Sequence, residues 1–231
     1  MFHGVVGVEF TMFDRNLNEK KTFNMLGLAF MAASDQFTMM SMAQVLQIPI
    51  ARPIFEREVA NRTYSASAYY LASSLASLLI FFLYPCFTAL ISYWYLGFED
   101  MSWTGLFRWM VPLAMPAFAG SLWGFTFGTF FTNTANCLQW NMVFIMLFNL
   151  GAGHTTNLGT ANYFAKFIST VSPVRYGTEL LMKQIVKGKA GEPYILALLG
   201  FTKSDTECYL TLLAIFTLLF GIGWFNLLRT N

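Results

Sequence analysis

The sequence predicts an all-α membrane protein: a bundle of about five complete transmembrane helices plus a partial first helix, with a short coupling helix and re-entrant or interfacial helices before the last span. Two observations predict it. Hydrophobic residues make up 56% of the chain and charged residues 11%, against roughly 25% charged in ordinary soluble domains. Apolar runs long enough to cross the roughly 30 Å of hydrocarbon in a bilayer alternate with short polar islands. A formal charge of +2 over 231 residues offers no basic field, so no nucleic-acid partner is expected. Cys86, Cys137 and Cys208 form no even framework, and the first two fall in apolar runs, so neither a disulfide nor a metal set is expected.

Along the chain, Met1 to Phe13 is apolar but short, and it contains Glu9. Without the basic flank and cleavage site of a signal peptide it reads as a partial first helix whose beginning is missing. Asp14 to Lys21 is a polar loop. Phe23 to Ile50 is the first complete span, ended by Pro49 and Pro53, which disfavour helix continuation. Ser65 to Phe98 is longer than one perpendicular crossing requires and is interrupted by Pro85, predicting a tilted or kinked helix. Glu99 and Asp100 mark a turn before the span Trp103 to Phe131. In that span Gly120, Gly124 and Gly128 recur at a spacing that lets helices approach closely in lipid, the pattern of a packing seam. Leu138 to Asn157 and Cys208 to Leu228 are the remaining spans.

The stretch from Leu158 to Glu207 is too polar to cross and too patterned to be a plain loop. Tyr163, Phe164, Phe167, Ile168 and Val171 fall on one helical face. Ser172-Pro173 then offers an N-cap with proline at the first helical position, predicting a second short helix to about Val186. Both pieces are expected to lie in the interface or to dip partway into it.

Ala51 to Tyr64, containing Arg52, Glu56, Arg57, Glu58 and Arg62, is a charged island between two apolar runs. It must lie in water or at the interface, where a soluble partner can push on it. Two readings stand side by side: a coupling element, or a solvated loop whose charges anchor the helix ends. Positive residues are divided between both sides of the chain's predicted loops, so hydropathy gives no orientation.

Arg52, Phe55, Arg57-Glu58, Tyr64 and Tyr69-Tyr70 together resemble a motif of the G subfamily of ABC transporters, the White and pleiotropic-drug-resistance type. Ser172-Pro-Val-Arg-Tyr176 resembles a second motif of that family, also placed after a fifth helix. The likeness covers the transmembrane domain from the end of its first helix to its sixth. It implies one domain that works as a homo- or heterodimer, with the island cytoplasmic against a nucleotide-binding domain and the segment before the last helix extracellular and re-entrant. Arg57, Glu58, Arg62 and Tyr64 are then the coupling residues, Glu58 matching the family's coupling glutamate, and Arg57, Glu58 and Arg62 are placed to form an ion-pair network on a short helix. The resemblance further implies a multi-pass protein of the plasma membrane or an organelle membrane, exporting lipids, sterols or amphipathic xenobiotics among membrane lipids.

The chain has no Gly-rich phosphate loop followed by Lys and Ser or Thr. Lys187-Gly-Lys-Ala-Gly191 lacks both the spacing and the hydroxyl. No ATPase site or other catalytic group is expected here, and ATP and Mg²⁺ are expected on a nucleotide-binding domain, either on another polypeptide or in a longer gene product of which this is the tail. A truncated, non-transporting membrane partner that regulates a full-length relative is the alternative reading, and a passive channel a third.

For the substrate path, Asp35 lies mid-span, where a charge costs about 2.5 to 3.5 kcal/mol and so avoids lipid. Ser34, Thr38 and Ser41 share a helical stripe with Asp35 at its border, which reads equally as a cavity lining and as a polar interhelical contact. Phe148, Gly153, His154 and Thr155 lie at the end of the fifth helix, where the resembling family places large apolar plug residues after a glycine. Here His154 and Thr155 stand instead, which fits a polar or pH-responsive gate as well as an interfacial hydrogen-bonding histidine.

Overall fold

The computed structural model describes residues 19–96, 102–154, 162–187, 196–197, 199–201 and 203–229. The predicted partial first helix lies outside the described residues. Among them the protein is all-helical, with α1 at Glu19–Ala60, α2 at Ala66–Phe81, α3 at Leu83–Leu96, α4 at Trp103–Gly128, α5 at Thr134–Leu150, α6 at Tyr163–Val171, α7 at Pro173–Val186 and α8 at Asp205–Arg229.

The first correction concerns α1. It does not stop at the prolines; it runs unbroken through Pro49 and Pro53 to Ala60, so the coupling segment is no separate helix but the last turns of α1. An interior proline costs a helix about 3 kcal/mol or more, yet neighbouring helices in a membrane protein hold such a segment in place. Here the flank of Ile48 is seated on Gly128 of α4, and Pro49 is buried.

What ends α1 is a C-terminal closure. The Thr63 N–H donates to the Glu58 carbonyl at 3.0 Å and the Arg62 N–H to the Val59 carbonyl at 2.9 Å, the paired bonds of a Schellman motif. That motif needs a left-handed residue, and Arg62 supplies it with φ 58° where glycine is usual.

Downstream, the predicted kink appears as a break at Phe82, between α2 and α3. The Pro85 ring has no N–H for the Phe81 carbonyl and crowds it, so the ladder opens just ahead of the proline. Helix α4 tolerates Pro112 and Pro116 without breaking. The fifth helix begins earlier than its apolar run, at Thr134, because the Asn133 side chain accepts the Ala135 N–H and caps it. Ser172 caps α7 by accepting the Arg175 N–H, with Pro173 at the first helical position.

Helix α1 packs most extensively on α4 and also touches α5 and α7, while α8 packs on α4, α7 and α2. The glycine spacing explains the α1–α4 contact. A Cβ on Gly120 would overlap the Phe37 backbone, one on Gly124 the Ser41 backbone, and one on Gly128 the Ile48 side chain. The two helices therefore meet backbone to backbone. Helices α4 and α8 are each long and apolar enough to cross a bilayer. Leu75, Leu79, Leu83, Phe87, Ile91 and Trp94 of α2 and α3 all face outward and exposed, a surface suited to lipid rather than to water.

At one end of the bundle, Phe55, Ala66, Tyr70, Phe125 and Leu227 form a separate apolar cluster from α1, α2, α4 and α8. At α7 and the start of α8 lies a charged knot. Glu179 is buried, its carboxylate 3.4 Å from Lys183 Nζ and accepting the Lys203 N–H at 3.1 Å, while Lys183 also pairs with Asp205 at 3.3 Å. Burial pushes the Glu179 carboxyl above its usual range, against the pull of Lys183 and Arg175. On α6, Tyr163, Phe164 and Phe167 point out of the bundle, and Ser169 is its buried residue.

Candidate coupling site and path

The candidate coupling end is built on aromatic rings. Phe55, 3% exposed on the inner face of the last turns of α1, lies 4.5 Å from the Tyr69 ring of α2, and Tyr69 stacks on Tyr64 at 5.8 Å and 9°. These contacts fold the segment after Ala60 back against α2. Its outward face then presents Glu56, Arg57 and Arg62 to solvent. Glu58 does not join Arg57 and Arg62: its Oε2 accepts the Tyr64 hydroxyl at 2.5 Å.

The expected Arg57–Glu58–Arg62 network is therefore corrected. Among the described residues the ion pair on this stretch is Arg52–Glu56, at 2.8 Å. The reason is helical geometry, since adjacent positions such as Arg57 and Glu58 do not face each other whereas positions four apart do. Arg62 lies beyond the helix in its left-handed turn. Tyr64 is held protonated, its pKa pushed up to about 12 by desolvation, by its bond to Glu58 and by that carboxylate's charge.

Behind this face lies a polar set that sequence reasoning did not single out as a unit. Arg52 Nη1 donates to the Thr129 carbonyl at 3.2 Å, and Asn226 Nδ2 of α8 donates to the Thr129 hydroxyl at 2.9 Å. Thr129 is the C-cap of α4, at the negative end of the helix dipole, which attracts cations. Arginine following a proline-bearing apolar run was the visible hint; its partner was not.

The predicted path residues divide. Ser34 donates to Asn149 Oδ1 at 2.9 Å and Ser41 to Asn141 Oδ1 at 3.0 Å, so the serines of the stripe face α5 as a polar interhelical ladder. Trp123 of α4 also donates to Asn141 Oδ1, at 2.9 Å, making that asparagine a three-helix node. Thr38 is half-buried on the same helix. Asp35 points away from this ladder and accepts the Tyr84 hydroxyl of α3 at 2.7 Å. Phe148 is buried edge-on against Phe37 and Trp123, and its carbonyl accepts the Ser172 hydroxyl at 2.8 Å. Gly153 takes φ 88°, closing the turn after α5. His154 stacks on Phe30 at 4.7 Å. Thr155 lies outside the described residues. All three cysteines are free thiols.

The sequence model of the ABC-2 type transporter family matches residues 5–186. The chain belongs to the ABC-2 type transporter family. Relatives of this ABC-2 membrane domain include Protein white of Ceratitis capitata, 25% identical over 198 residues that cover 84% of this chain and 28% of that protein. ABC transporter ATP-binding protein/permease wht-1 of Caenorhabditis elegans is 27% identical over 155 residues, 67% of this chain and 23% of the relative. Protein white of Drosophila melanogaster is 26% identical over 157 residues, 68% and 22%. The chain thus spans 22% to 28% of the length of these curated relatives. The match makes this chain an ABC-2 type membrane domain; α4, inside the matched residues, and α8, beyond them, are each long and apolar enough to cross a bilayer.

Proposed function

We propose that this domain is the membrane-spanning part of an ATP-driven exporter of lipids, sterols or amphipathic xenobiotics, with alternating access driven by a nucleotide-binding domain. It crosses the membrane several times and works as a homo- or heterodimer with a second transmembrane half. The observation that carries the reading is the coupling end: a helix prolonged past two prolines, closed on a strained Arg62, with Arg57 exposed and Glu58 fixed by Tyr64. Strain of this kind persists where function requires a set geometry. The White-type relatives, one named as an ATP-binding protein/permease, support a nucleotide-binding domain as the partner that contacts Arg57 and Glu58. ATP and Mg²⁺ belong to that domain.

The residues Ser34, Asp35, Thr38, Ser41, Phe148, Gly153, His154 and Thr155 are proposed to line or gate the path. In the conformation described, the Ser34–Asn149 and Ser41–Asn141 bonds hold α1 to α5. Opening a path between these helices exchanges those bonds for bonds to water or to a substrate's polar end. The aromatic cluster of Trp123, Phe144 and Phe148 beside these bonds suits amphipathic cargo once the helices part.

The test is Glu58→Ala in the transporter together with its nucleotide-binding domain, with export of fluorescent amphipathic lipids and sterols followed from reconstituted vesicles. Export should cease while dimer assembly is retained. Undiminished export by that variant sinks the assignment.

A further inference from the structure

The helix that receives the push, α1, and the last helix, α8, share one apolar cluster, with Phe55 and Leu227 grouped around Tyr70 and Phe125. Both are also hydrogen-bonded to the end of α4. Arg52 of α1 reaches the Thr129 carbonyl, and Asn226 of α8 reaches the Thr129 hydroxyl. Thr129 is 3% exposed, and both bonds are part-buried. The guanidinium has a second anchor in Glu56, which restricts it to this orientation.

Above this point α8 is gripped again. The Thr126 hydroxyl donates to the Leu219 carbonyl at 2.8 Å, and the Tyr70 hydroxyl of α2 donates to the Phe220 carbonyl at 2.8 Å. Gly223 makes the approach possible, because a Cβ there would stand 2.5 Å from the Tyr70 hydroxyl oxygen and 3.0 Å from that of Thr126. Helix α8 is therefore fastened at successive levels to α4 and α2 on the side of the bundle that carries Arg57 and Glu58. A fastening that serves stability alone needs no link to α1. The Arg52 bond adds one, and it ends on the same residue that holds Asn226.

We infer that Arg52, Thr129 and Asn226 form a clasp that makes α8 follow the coupling end of α1, so that Thr129 and Asn226 are positioning residues for energy conversion. This rests on the coupling reading of Arg57 and Glu58. The clasp passes displacement from α1 to the C-terminal cap of α4 and from there to α8, whose far end meets the charged knot at Glu179 and Lys183 through Asp205. A movement at one end of the bundle then reaches the segment before the last helix along a single rigid rod.

The experiment uses the transporter with its nucleotide-binding domain in lipid nanodiscs, carrying an environment-sensitive fluorophore at Ile54→Cys on α1 or at Phe225→Cys on α8, both exposed positions. The native protein should give a spectral shift at both labels on adding ATP, Mg²⁺ and vanadate. Thr129→Val, close in shape but without the hydroxyl, and Asn226→Leu should keep the Ile54 shift and the rate of ATP hydrolysis while losing the Phe225 shift. Thr129→Ser should restore it. A Phe225 shift that survives both Thr129→Val and Asn226→Leu overturns the clasp. Absence of any Ile54 shift in the native protein overturns the coupling reading itself, a different outcome from loss at Phe225 alone.

Discussion

Replacing Gly124 by alanine places a methyl group where α4 meets α1 backbone to backbone. The new Cβ stands 2.9 Å from Gln44 Cβ and 3.0 Å from the Ser41 carbonyl carbon, with the Ser41 oxygen closer still. Two of those three atoms are main chain, so relief requires α1 to move away from α4. Any such movement also loosens Gly120 on Phe37 and Gly128 on Ile48, which belong to the same seam. Overpacking of this kind costs typically about 1–3 kcal/mol, whereas the better helix propensity of alanine returns about 1 kcal/mol. The net expectation is a loss of up to about 2 kcal/mol.

Gly221 on α8 is the internal control, because its Cβ would meet nothing within 4 Å. There the same substitution should give only the propensity gain, up to about 1 kcal/mol. The two variants should therefore differ by the overpacking term alone, about 1–3 kcal/mol, or several degrees at roughly 2–4 °C per kcal/mol for a chain of this size. The assay is the apparent melting midpoint of the detergent-solubilised protein, read from the monodisperse fraction surviving a heating series. Equal midpoints for Gly124→Ala and Gly221→Ala refute the seam.

Four further outcomes follow from single contacts. Asn141→Leu leaves the buried Ser41 hydroxyl and the Trp123 N–H unpaired and should cost about 2–3 kcal/mol, while Ser41→Ala leaves Asn141 bonded to Trp123 and should cost about 1 kcal/mol or less, by the same melting assay. Because the folded-state pKa of Tyr64 is raised, its contribution is fully present below the ordinary tyrosine value near 10 and is lost as pH rises towards about 12. The phenolate absorbance of native protein minus Tyr64→Phe should titrate in that upper window, and a midpoint at the ordinary value removes the Glu58 contact. Arg62→Gly should relieve left-handed strain and stabilise the end of α1 by about 1 kcal/mol, measured as slower amide exchange at Thr63; unchanged or faster exchange counts against the closure. Asn61-Arg62-Thr63 reads as a glycosylation acceptor, and a cytoplasmic coupling end should leave it bare, so a glycosidase-sensitive mass at Asn61 would put that end on the wrong side of the membrane for ATP.

Much of the architecture was legible because it rests on local rules. Apolar runs gave the helices, the Ser172-Pro173 pair gave the start of α7, and the glycine repeat of α4 gave a seam before its partner was known. The stripe of Ser34 and Ser41 was equally visible, but a helical period says only that residues share a face. It does not say what the face meets. The ladder to Asn149 and Asn141 settles that for the serines in this conformation, whereas Asp35, one position from Ser34, turns to Tyr84.

Where local rules failed, long-range contact had outweighed them. Pro49 and Pro53 carry a local penalty that ends many helices, yet packing on α4 keeps α1 helical until hydrogen bonds around Arg62 close it. The charges of the island suggested partners among themselves, and Glu58 found a tyrosine. Arg52, Thr129 and Asn226 are separated by 77 and 97 positions, and each alone reads as an ordinary polar residue at a helix end. The sequence by itself determined that the chain forms helices suited to lipid, because hydropathy and backbone propensity act over a few turns. Which polar groups face one another was decided only by tertiary structure, because a hydrogen bond requires donor and acceptor within about 3 Å and aligned, a condition met only once the helices have packed.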